Sequence, residues 1–290
     1  MNFPVELLAQ NIVSGLLMGF VYAVVAVGPT LIFGMMRLVN FAHGEFLMFI
    51  MYFAFWAWRL LGIDPMVMLP VNILVGFVLG SLVYKGIIAK ILHAPAISQM
   101  FAAFGLMVFL RSSAHFLWTP NFRMIQDPWA SGRLEILGVY VGVSKVVAGV
   151  GAGIAFALLH WLLTRTDLGR AMRATAQDRQ AASLMGIDTE RVYMVTWGIS
   201  GALVGVAGTL LSNFFFVYPE VGFFFTTIAF VVVALGGFGS VAGAFVAALV
   251  VGVVEGLGGL LFPPGFKYVV VYGMFLVVVL ARPRGLFGRH

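Results

Sequence analysis

Asn40, His43 and Glu45 fall in one run, Asn40-Phe41-Ala42-His43-Gly44-Glu45, which sets an amide, an imidazole and a carboxylate among apolar neighbours. The run interrupts a hydrophobic stretch from Leu31 to Trp58 that also carries Arg37. A break in a helix at membrane depth frees backbone groups that must face protein or water rather than lipid. The polar side chains of such a break are therefore candidates for function. Glu255 is a second isolated carboxylate, in the apolar run Val241 to Leu261. A charge at the centre of a bilayer costs at least about 2.5 to 3.5 kcal/mol unless it is paired or hydrated. Two roles fit Glu255: a functional carboxylate, or a structural one near the outer end of its span, bonded to a neighbour. Arg111 and His115 stand four apart, share a helix face and read as a span end near the surface.

Other chemistries fail on context. Without cysteine, the chain has no disulfide, thiolate metal site or cysteine nucleophile; neither a metal nor a cofactor is expected. Gly237-Phe238-Gly239-Ser240-Val241-Ala242 fits a dinucleotide fingerprint, but that motif has meaning only between a strand and a helix. Here it joins two apolar helices as a tight turn. Gly198-Ile199-Ser200-Gly201 resembles an intramembrane serine protease motif, whose histidine lies on a later span. After Ser200 the chain has only His290, so Ser200 is expected to bond a carbonyl of its own helix. No phosphate-binding G-x-x-x-x-G-K-[ST] loop occurs, and ATP hydrolysis by that route must reside in a partner.

The elements that position these residues are membrane spans. Apolar runs of about 20 residues recur, the length a helix needs to cross the hydrocarbon core. Hydrophobic residues make up 62% of the chain and charged ones 10%, a balance no soluble domain could bury. The expected fold class is an all-α, polytopic integral membrane protein with eight or nine spans, some broken or re-entrant. Clear spans run Asn11 to Val27, Met66 to Tyr84, Ile136 to Leu163, Val192 to Leu211, Val241 to Leu261 and Lys267 to Ala281. Leu31 to Trp58, Ala96 to Trp118 and Val221 to Leu235 are interrupted, polar or short. The whole of 1–290 reads as one transmembrane domain with a cytoplasmic segment at about 165–191.

The net charge of +6 sits at span ends rather than on one solvated face, which points to membrane orientation and not to nucleic acid. Before the first apolar run there is Glu6 but no Lys or Arg, so a cleaved signal peptide is not expected. Lys85, Lys90, the cluster Arg165, Arg170, Arg173, Arg179 and Arg191, and the tail with Arg282, Arg284 and Arg289 are expected in the cytoplasm, with the amino terminus outside. Glycines four apart, such as Gly15/Gly19, Gly201/Gly205 and Gly252/Gly256, mark helix-packing seams. Asn40 to Trp58 and Gly237 to Gly256 echo one another: a polar or glycine-rich break followed by a long apolar helix. Phe214 to Phe216 and Phe223 to Phe225 fit either an interfacial aromatic belt or the wall of a wide apolar vestibule.

Gly28-Pro29-Thr30-Leu31-Ile32-Phe33-Gly34 followed by Asn40-Phe41-Ala42-His43-Gly44-Glu45 resembles the signature of LivH-type permeases, the membrane subunits of branched-chain amino acid ABC importers. The likeness continues through Ala174-Thr175-Ala176-Gln177-Asp178-Arg179-Gln180-Ala181-Ala182-Ser183-Leu184-Met185-Gly186-Ile187, then Leu235 to Ala244, and Arg282-Pro283-Arg284-Gly285-Leu286-Phe287-Gly288. The chain departs from the pattern at Gln180, where the family usually has an acidic residue, and at Pro29, where it has a small polar or leucine-like one.

The resemblance implies a permease that performs no chemistry itself. It implies a second related permease, two ATPase subunits and a periplasmic or extracellular substrate-binding protein as partners, in a bacterial-type inner membrane. Its substrates would be branched-chain or related hydrophobic amino acids, although related importers carry urea, amides or aromatic acids. Read from the helix break and the cost of intramembrane charge, Asn40, His43, Glu45 and Glu255 are the candidate substrate-path residues. Asp178, Arg179, Gln180, Ala181, Ala182 and Gly186 would belong to the coupling segment. There, Arg173 to Met185 reads as one short helix closed by Gly186. An ion-coupled secondary transporter or channel would instead need Glu255 or Glu45 to titrate or bind an ion.

Overall fold

The computed structural model describes residues 5–136, 138–263, 266–282 and 285–287. Among them, seven helices are long and apolar enough to cross a membrane, and two shorter apolar helices, Val221–Gly236 and Lys267–Ala281, accompany them. The chain is an all-α multi-pass membrane protein.

The first helix, α1 (Val5–Met36), is longer than its sequence pattern suggests. It passes through Pro29 without ending and takes in Leu31–Met36, which the apolar pattern assigns to the next span. The interruption at Arg37–Ala42 thus separates two helices, and α2 (His43–Leu61) begins at the imidazole. Gly62, in the left-handed region at φ 67°, ends α2 by donating its N–H to the Trp58 carbonyl at 3.0 Å.

Asp64 caps α3 (Pro65–Val83) by accepting from the Met66 N–H at 2.8 Å. The helix continues through a π turn at Tyr84–Ile88 into a short α4 (Ala89–Ile91), a single apolar rod. α5 (Ala96–Trp118) follows. The expected span from Ile136 starts later. Arg133–Ile136 and Val139–Gly142 pair as antiparallel strands β1 and β2, with Arg133 opposite Gly142. The β-branched alternation of Val139-Tyr140-Val141 suits a strand, and Gly138 supplies a positive φ of 78° at the turn. The span proper is α6 (Val143–Arg165).

Two short helices, α7 (Asp167–Gln177) and α8 (Arg179–Leu184), lead to α9 (Thr189–Ser212). The bundle is completed by α10 (Val221–Gly236), α11 (Val241–Leu261) and α12 (Lys267–Ala281).

The glycine spacings mark helix contacts, as expected. A Cβ on Gly15 would lie 2.5 Å from the Gly252 carbonyl oxygen, and one on Gly19 2.9 Å from the Leu249 Cα, so α1 and α11 meet backbone to backbone. In the same way Gly205 faces Ile73, 2.8 Å from its Cα, and Gly76 and Gly201 face each other between α3 and α9. With lipid as apolar as the side chains, such close packing drives association. Outward positions such as Leu74, Phe109, Leu158 and Leu276 are exposed and apolar, as a lipid-facing surface requires.

Candidate functional site

The break between α1 and α2 is held inside the protein. Leu38, Asn40 and Ala42 are buried, and the freed amides find side-chain acceptors. The Asn40 Oδ1 accepts from the Ala42 N–H at 3.0 Å, and the Thr226 Oγ1 of α10 accepts from the Gly44 N–H at 3.0 Å. These contacts satisfy donors that the first turn of a helix leaves open. The Asn40 Nδ2 remains buried with no hydrogen-bond partner among the described residues.

His43 is buried against the middle of α1, its Nε2 2.9 Å from the Val25 carbonyl oxygen. Pro29 stands four residues after Val25 and has no N–H to give that carbonyl. The imidazole therefore replaces the missing helix bond, which fixes the Nε2–H tautomer and leaves Nδ1 as an acceptor. The Ser200 hydroxyl faces Nδ1 at 3.4 Å, rather than a carbonyl of its own helix. Gly28 leaves the room for this meeting: a Cβ there would lie 2.5 Å from the His43 Cε1 and 2.6 Å from the Ser200 Oγ. A histidine earlier in the chain thus meets the serine. Yet the ring's other nitrogen rests on a carbonyl rather than a carboxylate, and both residues are buried, so no nucleophile is presented.

Glu45 lies in the first turn of α2, just after the break, and is completely buried. Arg111 of α5 donates to it through Nε at 3.1 Å and Nη2 at 2.5 Å, both to the same oxygen, Oε1. Among the described residues, Oε2 is buried without a hydrogen-bond partner, and a Cβ on Gly222 would come within 2.7 Å of it. The Arg111 guanidinium also lies over the Phe223 ring, 4.9 Å from its centroid. The sequence pattern misplaces Arg111 as a surface residue. The available signal was the carboxylate beside the break, which calls for a cation within reach inside the bundle. His115, one turn on, does pair at the periphery, 3.0 Å from Glu220.

Glu255 belongs to a separate cluster. Its Oε1 accepts from the Lys267 Nζ at 2.7 Å and its Oε2 from the Tyr22 hydroxyl at 2.5 Å, so both oxygens are engaged. Three consecutive phenylalanines of α10 lie between the clusters. Phe223 meets Arg111, Phe224 packs on Tyr268, and the buried Phe225 lies 6.3 Å from the Tyr22 ring. The glycine-rich break before α11 packs on the end of α1 that precedes the first break: the Phe33 and Phe238 rings are 4.6 Å apart, and Gly34 packs on Gly239.

The 165–191 segment bends at Asp178 instead of running as one helix. Asp178 is extended at φ −152°, and its Oδ1 accepts from the Gln180 N–H at 2.8 Å and the Ala181 N–H at 3.0 Å. Aspartate is a better N-cap than a helix interior residue, which places the break there. Gly186 ends α8 at φ 83°, with bonds from the Gly186 N–H to the Ser183 carbonyl and from the Ile187 N–H to the Ala182 carbonyl, the pattern of a Schellman cap. Ala182 is buried against the bundle, while Leu184 and Met185 are 88% and 83% exposed and Gln180 points outward. Arg179 donates to the Glu190 Oε1 at 2.8 Å, and the other Glu190 oxygen accepts from the Tyr84 hydroxyl at 2.6 Å. That chain of contacts ties α8 to the π turn of the α3 rod.

Residues 11–279 match the family model described as branched-chain amino acid transport system / permease component. The chain is 31% identical to the high-affinity branched-chain amino acid transport system permease protein LivH of Escherichia coli (strain K12), over 97% of this chain and 95% of the relative. It is 30% identical, with the same coverage, to the corresponding protein BraD of Pseudomonas aeruginosa. A more distant likeness, 27% over 73% of this chain and 62% of the relative, is to the autoinducer 2 import system permease protein LsrC of Salmonella paratyphi B. No solved structure matches. With nearly its full length matched and its sequence blocks in the family's order, the chain belongs to the branched-chain amino acid transport system permease components.

Proposed function

We propose that this chain is the permease subunit of an ATP-binding cassette importer for branched-chain or related hydrophobic amino acids. It works beside a second related permease, two ATPase subunits and a substrate-binding protein outside the inner membrane. The observation that carries the reading is the exposed, twice-capped α7–α8 segment, which presents Leu184 and Met185 to solvent while Arg179 and Glu190 bind it to the bundle. Such a rigid apolar knob suits a groove on a soluble ATPase. Asp178, Arg179, Gln180, Ala181, Ala182 and Gly186 form the coupling element, and Asn40, His43, Glu45 and Glu255 border the path between α1, α2, α10 and α11.

One transmembrane domain, residues 1–290, has its amino terminus outside and its carboxy terminus in the cytoplasm. Among the described residues, seven helices long enough to span and two shorter apolar ones make an odd number of passes, and this orientation puts Lys85, Lys90 and the arginines of 165–191 inside. ATP-driven dimerisation of the ATPases shifts the permease only through a difference in how its two conformers bind them. The test is reconstitution with the partner subunits in proteoliposomes. Uptake of radiolabelled leucine should require ATP and the binding protein. Uptake that follows an ion gradient without ATP would replace this reading with a secondary transporter.

A further inference from the structure

Glu45 and Glu255 are the two deep carboxylates, and they differ in one respect. Among the described residues Glu255 uses both oxygens, whereas Glu45 uses one. Arg111 spends Nε and Nη2 on that single oxygen. A guanidinium matched to a carboxylate engages two oxygens with its fork; here the fork meets one, and the other is left bare in the protein interior. Burying an acceptor unpaired costs free energy, so this pair is a poor structural clamp. It is suited to exchange partners.

We propose, resting on the importer reading, that Glu45 and Arg111 form the recognition site for an α-amino acid zwitterion, with the ammonium at Glu45 and the carboxylate at Arg111. The two side chains come from different helices, α2 and α5, joined nearby by stacking of Tyr52 on Trp118 at 4.1 Å. A solute lodged against the α2 side of the path, where Arg111 reaches in from α5, would part the ion pair. Two separated charges in a low-dielectric interior are costly, and an uncharged solute such as urea or an amide would leave both bare. A zwitterion restores both at once: three ammonium donors for the two Glu45 oxygens, and a bidentate carboxylate for the Arg111 fork. Phe223, already against the guanidinium, offers an apolar wall for the side chain of the substrate. The closed pair is then a placeholder, each residue standing in for one end of the cargo.

The test uses the reconstituted complex with leucine as probe and two readouts, leucine uptake and the ATP hydrolysis stimulated by leucine-loaded binding protein. The double variant Glu45→Gln/Arg111→Gln keeps a hydrogen-bonded pair with no lone charge. It should insert and hydrolyse ATP while uptake falls at least about tenfold, the loss expected for one charge-assisted hydrogen bond. Leucine moved per ATP would fall in proportion. Arg111→Lys, which retains the charge but not the fork, should lower the same ratio and serves if the double variant does not assemble. Wild-type leucine per ATP in either assembled variant would overturn the proposal. A wild-type complex without ATP-driven uptake would instead refute the importer reading itself.

Discussion

The imidazole of His43 fills the hydrogen-bonding position that Pro29 leaves empty on the Val25 carbonyl, at 2.9 Å. Within lipid, a freed backbone group must find a partner inside the protein, and this one is found on the next helix. The kink-prone residue of α1 and the first residue of α2 are thereby one structural unit.

His43→Ala should destabilise the protein by about 1–3 kcal/mol, the cost of a buried acceptor left unpaired. Pro29→Ala restores the helix donor, so in the His43→Ala background it should recover much of the loss. Unfolding of the four proteins of this cycle in detergent measures the coupling. Additive effects of the two substitutions would show that the residues act independently.

At Gly186 a side chain has free space around it but must adopt φ 83°. Backbone strain, not collision, is therefore the whole effect, and it is greatest for a β-branched residue. Gly186→Val should leave insertion in the membrane intact and lower both leucine uptake and stimulated ATP hydrolysis. Full uptake by a well-expressed variant would return α8 to the role of a solvated loop helix.

Glu255→Gln keeps one oxygen to accept from Lys267 and offers an amide N–H that can donate to the Tyr22 hydroxyl, while removing the charge. Because both oxygens serve helix-to-helix contacts, ATP-dependent uptake should survive, with a lower unfolding temperature as Lys267 loses its counter-charge. Abolished transport in a correctly assembled complex would make Glu255 part of the pathway chemistry.

The orientation is open to direct labelling because the chain has no cysteine of its own. A single cysteine at the exposed Ser183 should resist an impermeant thiol reagent in intact cells and react after permeabilisation. Gly288, in the tail, lies outside the described residues and should behave alike. Modification of either from outside would reverse the topology.

Much of this was legible in the residues. Apolar run length sets the spans, because the bilayer fixes how long they must be, and Gly186 is read correctly because a left-handed cap leaves few alternatives to glycine. The errors have one origin: local patterns do not see partners. The apolar pattern ends the first span at Val27, but α1 runs on through Pro29, with His43 bonding the carbonyl that the proline leaves open. Ser200 suggests a bond within its helix, but Gly28 opens a space for the imidazole. Arg111 suggests a surface, but Glu45 draws it inward. The bend at Asp178 was the exception, since its capping preference was visible in the sequence and only outweighed there by the good helix formers around it.

The backbone-to-backbone seams between α1 and α11 and between α3 and α9 have a mechanical consequence. Interleaved side chains can change rotamer and so tolerate sliding, whereas two main chains separated only by hydrogens have nothing to rearrange. Each seam is either closed or apart. The two pairs therefore act as laths of fixed cross-section, and shape change is taken up where longer side chains mediate contact, as between α5 and α2 and between α12 and α10.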